Sequence, residues 1–164
     1  MTRAILALSE LAGMAVGAVE LTEYEIGHGR VQRTMALMSA LAAIVSGFEA
    51  YIQHMRGAFR DWRMWTPVVL TPPTALVAGS ALVSRRTARV LLPWTSLAML
   101  ADGVVGFGLH LRGVHRMPGG YKMGNYNVTM GPPLFAPLLL TTVGVLGLLA
   151  AFLRPEELRR RRHR

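Results

Sequence analysis

From Pro133 to Leu153 the chain runs PLFAPLLLTTVGVLGLLAAFL without one ionisable side chain, and then meets Arg154. At 1.5 Å of rise per residue, a helix over such a stretch reaches across a hydrocarbon layer of about 30 Å. Three further apolar stretches precede it. Residues 31 to 53, VQRTMALMSALAAIVSGFEAYIQ, are bounded by Arg30 and Arg33 on one side and by His54 and Arg56 on the other. A second stretch runs from Trp65 to Val83 and a third from Val90 to Leu111. Pro67, Pro72 and Pro73 fall in the second, which predicts a broken or kinked span.

Composition agrees with this spacing. The chain is 52 % hydrophobic and 16 % charged, against about 25 % charged in an ordinary soluble domain. The predicted fold is therefore all-α, an integral membrane four-helix bundle with an N-terminal amphipathic segment. Its organisation reads as an amphipathic or interfacial segment over residues 1–30, a four-span transmembrane domain over 31–153 and a basic cytoplasmic tail over 154–164. The first segment is apolar but broken by Glu10 and followed by Glu20, Glu23 and Glu25. A fifth partial span, or an arm ordered by a partner, are its other readings, and it makes a poor signal peptide.

The net charge of +9 superficially suits nucleic acid, but the basic residues flank apolar stretches, which points instead to anionic lipid. With four spans, the N-terminal segment, the connection carrying Arg85, Arg86 and Arg89, and the tail share one side, which holds twelve Arg residues. The opposite connections hold Arg56, Arg60, Arg63, Arg112, Arg116 and Lys122. The positive-inside rule then places both termini in the cytoplasm, in a bacterial inner membrane. Trp62, Trp65 and Trp94 stand at span ends, as interfacial anchors do. Without cysteine, the chain alone builds no disulfide, iron-sulfur cluster or covalently attached haem.

Histidine placement carries the chemical expectation. His54 ends the first span, His110 ends the third on the same side, and His115 follows within the next few residues. Imidazoles at similar depth on two helices suit axial ligation of a haem b, with Arg56, Arg60, Arg112 and Arg116 at the same ends for its propionates. As metal ligands the pair is His54 and His110. Gly103, Gly106 and Gly108 approach His110 and either open space for a porphyrin or allow close helix packing. The bland alternative is that these histidines are interfacial polar residues. Copper held by His with Met55, Met64, Met117, Met123 or Met130 is a further reading.

Glu49 and Asp102 lie inside otherwise apolar spans. Intramembrane carboxylates mark proton or ion paths, or pair with a partner. Structural roles compete: a hydrogen-bonded cap at the glycine-rich stretch for Asp102, an arginine partner for Glu49. A quinone near Glu49, Tyr51 or His54 is compatible with the same region.

Between the third and fourth stretches lies RGVHRMPGGYKMGNYNVTMGP, with a Pro118-Gly119-Gly120 turn signal. An ordered polar cap is expected there, with Tyr121 and Tyr126 as partner contacts. Asn127-Val128-Thr129 is a formal glycan acceptor. Nucleotide-binding loops, zinc-binding HExxH and the nucleophile elbow are absent from the sequence, which disfavours a stand-alone hydrolase. The expected function is a non-catalytic membrane anchor or accessory subunit of a respiratory or other redox complex, partnered by other subunits and anionic lipid. Haem b, a quinone, or no cofactor at all are its three cofactor states. A proton or ion transport component, and a purely structural or assembly subunit, are the alternatives.

Overall fold

The structure is a computed structural model and describes Glu10, residues 13–21, Tyr24 and residues 28–153. Among the described residues every regular element is helical. Residues 13–21 are helical and exposed almost throughout. The rest of the N-terminal segment and the basic tail at 154–164 lie outside the described residues.

The main elements are α1 (Arg30–Arg56), α2 (Thr66–Ser80), the short α3 (Arg85–Val90), α4 (Leu92–Arg116), the short α5 (Gly124–Met130) and α6 (Ala136–Phe152). Single 3-10 turns, Trp62–Trp65 and Gly120–Met123, precede α2 and α5. Helices α1 and α4 are long and apolar enough to cross a membrane, whereas α2 and α6 are shorter. The third apolar stretch, read as Val90 to Leu111, differs from α4 at both ends, since the helix runs on to Arg116. Its start, at Val90, belongs to a separate basic helix capped by the Ser84 hydroxyl, which accepts from the Thr87 N–H.

Proline-rich α2 runs unbroken through Pro72 and Pro73. Pro72 removes the amide that would bond the Val68 carbonyl. The Thr71 hydroxyl approaches that carbonyl at 3.5 Å, and Thr74 donates to the Leu70 carbonyl at 2.8 Å. The Thr71 hydroxyl thus stands beside the carbonyl that Pro72 leaves without an amide donor, which offsets part of the cost of keeping the helix continuous.

Four helices surround one core: α1 packs on α2 and α6, and α4 packs on α6 and α2. Short connections make sequence neighbours antiparallel. The packing residues are small. On α1, Ala36, Ser39, Ala40, Ala43, Ser46 and Gly47 are buried, while Leu37, Met38, Leu41, Ile44, Val45 and Phe48 are exposed. Helix α6 repeats the pattern, with Gly144, Gly147, Ala150 and Ala151 inside and Leu139, Val145, Leu149 and Phe152 outside. A Cβ added at Gly144 would lie 2.6 Å from the Ser96 carbonyl and the Leu100 amide nitrogen, so α4 and α6 meet backbone to backbone. Close approach through small residues is how helices associate where the surroundings are as apolar as the side chains.

Candidate functional site

The helices close tightly at one end of the bundle and part at the other. The parted end gathers the C-terminal halves of α1 and α4 and the N-termini of α2 and α6 around a cavity of about 660 Å³, within the range of ordinary ligand sites. Pro67 and Pro137 stand in the first turns of α2 and α6, where proline's missing N–H costs nothing. Gly106 and Gly113 let α4 pass the prolines: added Cβ atoms would lie 3.2 Å from Pro137 and 2.8 Å from Pro132. Gly103 meets the Thr141 backbone nitrogen at 2.5 Å by the same measure and serves helix packing, while Gly108 faces open space. Beneath the cavity, Ala43, Met99, Leu140 and Val143 form a buried apolar layer.

Glu49, His54, Asp102, His110, Arg112 and Arg116 all line this cavity. His110 is half-buried, and its Nδ1 lies 2.8 Å from the Pro133 carbonyl. A carbonyl only accepts, so Nδ1 carries a proton, and Nε2 is the ring nitrogen left outside this bond. His54 has the opposite arrangement, with Nδ1 buried and without a hydrogen-bond partner. Its ring stands edge-on to Phe59 at 6.2 Å, and Phe59 stacks on Trp65 at 4.0 Å. Phe59 and Ala58 adopt φ of 46° and 55°, a left-handed conformation that non-glycine residues seldom take. Their amides donate to the His54 and Met55 carbonyls at the end of α1. The two imidazoles and the Asp102 carboxyl are near enough to interact electrostatically.

Asp102 is held by the Thr66 hydroxyl at 2.5 Å, which ties the start of α2 to the middle of α4. Glu49 is half-buried on the cavity wall, and no arginine pairs with it among the described residues. At the rim, Asp61 accepts from the Arg63 N–H and side chain, each at 3.0 Å, and so caps the 3-10 turn before α2. These bonds and the adjacent guanidinium hold its carboxyl below the usual carboxylate range.

The remaining candidates lie elsewhere. Arg56 and Arg60 are exposed and off the cavity lining. His115 is exposed, and its ring packs on Tyr121 at 4.8 Å. Tyr121 donates to the Leu111 carbonyl at 3.2 Å while most of its ring faces outward, and Tyr126 is exposed. The cap between α4 and α6 is ordered by Asn127, only 1 % exposed, whose amide donates to the Pro118 and Gly120 carbonyls. That buried amide is not accessible to a glycan. Among the described residues no three His, Asp or Glu side chains converge as ligands for a metal ion. Of the site's members, Thr66, Pro133 and Phe59 escape a sequence reading, because a lone threonine, a prolyl carbonyl and a loop phenylalanine carry no motif.

Compared with protein-family models, with curated proteins and with solved structures, the chain matches none.

Proposed function

We propose that this chain is a four-span membrane subunit of a redox complex and that its cavity is the seat of a haem b. The observation that carries the reading is the convergence of His54 and His110, from two helices, on one apolar-walled cavity with Arg112 and Arg116 on its lining. Two axial nitrogens, a pocket for the macrocycle and cations for the propionates are what such a group requires of a protein. His110, with Nδ1 on Pro133, offers Nε2, and His54 has a buried nitrogen without a partner. The bound group would supply one-electron chemistry, while the chain supplies ligation, orientation and charge.

The membrane reading is supported by which residues face outward. In the apolar windows of α1 and α4 only 28 % and 17 % of residues are buried, whereas the core helix of a soluble protein would be mostly covered. On α1, large apolar side chains outside and alanine, serine and glycine inside suit lipid as the solvent. Helix α2, of 15 residues, spans about 22 Å, and the 3-10 turn at Trp62–Trp65 lengthens it at the parted end. Arg85, Arg86 and Arg89, with Trp94 just beyond, suit the cytoplasmic face and anionic lipid. Both termini are then cytoplasmic, in a bacterial inner membrane. Exposed Tyr121 and Tyr126 on the opposite side serve the partner subunit.

The test is a reduced-minus-oxidised spectrum with pyridine haemochrome on the full chain in lipid discs and on its gently solubilised complex. Bands of b-type haem, lost in His110→Ala, are expected; absence of the bands from both preparations overturns the haem assignment.

A further inference from the structure

The parted end carries Arg56 at the close of α1, Arg60 and Arg63 between α1 and α2, Arg112 and Arg116 in the last two turns of α4, and Lys122 in the 3-10 turn that follows. All six residues are exposed. Arg63 is ion-paired with Asp61 at 3.0 Å, and none of the other five has an ion-pair partner among the described residues. The further carboxylates at this end, Glu49 and Asp102, stand on the cavity lining, where Asp102 is already held by Thr66. The end of the bundle is therefore a positive face around the mouth of the cavity, with Arg63, Arg112 and Arg116 on the lining itself.

In the orientation given above, the positive-inside rule disfavours cations on this side and does not account for them. A second copy of the chain does not neutralise them either, since the same face on that copy is equally basic. Anionic headgroups surround a bundle at its perimeter, whereas Arg63, Arg112 and Arg116 reach the space between the helices. Tyr121 and Tyr126, 54 % and 56 % exposed, stand on the same cap as Lys122, and tyrosine beside arginine is the composition of protein interfaces. We propose that the surface of the partner subunit over the parted end is acidic, with carboxylates against Arg56, Arg60 and Lys122. Opposite charge selects this partner and orients it on the mouth of the cavity. The proposal rests on the reading of the chain as a subunit of a membrane complex and is independent of whether the cavity holds haem.

Lys122 is the only lysine of the chain, which makes the contact chemically addressable. A water-soluble carbodiimide joins an amine to a carboxylate that touches it and leaves a phosphodiester headgroup unlinked. Applied to the gently solubilised complex at low ionic strength and read by peptide mass spectrometry, it should link Lys122 to an Asp or Glu of another polypeptide. Lys122→Arg keeps the charge but removes the reactive amine, and should abolish the link while the complex stays assembled. Arg56→Glu with Arg60→Glu should lower the partner recovered with the chain at least about tenfold, with the elution of the isolated chain unchanged. Arg56→Lys with Arg60→Lys should retain the partner, and so should Arg33→Glu, exposed at the opposite end. High salt should release the partner from the unaltered protein. Lys122 left unlinked, or linked only within its own chain, overturns the proposal. So does a complex that survives Arg56→Glu with Arg60→Glu, or a loss that the two lysine replacements reproduce. A chain that purifies without another polypeptide sinks the subunit reading as well; a complex without the Lys122 link sinks this proposal alone.

Discussion

The closed and the parted ends of the bundle use the same four helices and opposite side chains. At the closed end Gly144 and Gly147 press against Ser96 and Leu100 of α4, and Ser39 of α1 donates to the Val143 carbonyl of α6 at 2.9 Å. Ala40, Ala78, Ala150 and Ala151 fill the spaces between. At the parted end prolines start α2 and α6, Gly106 and Gly113 of α4 make room for Pro137 and Pro132, and ionisable groups line the gap. The contrast teaches that side-chain size decides whether these helices touch, and that chemistry collects where they do not.

The largest expected effect lies at the closed end. Gly144→Ala sets a methyl 2.6 Å from two backbone atoms of α4 that cannot move independently of their helix, and should cost about 1–3 kcal/mol. Gly108→Ala is the control, because nothing lies within 4 Å of its added Cβ, and it should stay within about 0.5 kcal/mol. Equilibrium unfolding of the two variants in mixed micelles, followed by helicity, makes the comparison. Equal stabilities would remove close packing as the cause of closure.

A smaller effect is expected at the parted end. Thr66→Val deletes the hydroxyl on Asp102 and should cost about 1–2 kcal/mol. Paired with Asp102→Asn in a double-mutant cycle, it isolates how much this bond contributes to joining α2 and α4. Additive effects would show that the two helices are held at this end by packing alone.

The smallest effect concerns the rim. The Asp61 carboxyl is held below its ordinary value, first by the Arg63 N–H and then by its side chain. A depressed folded-state value means that the stabilisation is complete above the ordinary carboxylate range and is lost as pH falls through the lowered one. Fluorescence of the neighbouring Trp62 and Trp65 should therefore hold steady through mildly acidic pH and change only below the ordinary aspartate range. Asp61→Asn should remove that change; an unaltered acid transition in the variant would assign it to another group.

Several parts of this structure are legible along the chain. Residues 31 to 53 and 133 to 153 match α1 and α6 to within about three residues, because a long apolar run has few ways to satisfy its backbone. The meeting of His54 with His110 and of Glu49 with Asp102 on one cavity follows from their matched positions in the C-terminal halves of α1 and α4, which run in the same direction. Continuous α2 was not legible, since Pro72 and Pro73 argue locally for a break while the Thr71 hydroxyl beside the Val68 carbonyl and the neighbouring helices α1 and α4 compensate. Nor was the fate of His115, five residues beyond His110 on α4, whose ring packs on Tyr121 instead of lining the cavity. The sequence placed Gly103, Gly106 and Gly108 in one group; contacts from α6 give each a different neighbourhood.

Sequence alone determined the helical class, the apolar lengths and the side on which histidines and arginines gather, because these depend on local hydropathy and on a fixed rise per residue. Tertiary structure decided which end of the bundle opens and that the Pro133 carbonyl fixes the His110 proton. Those features arise where side chains distant in sequence come within a few ångströms, and separations of that kind are set by how glycine, alanine and proline let whole helices approach.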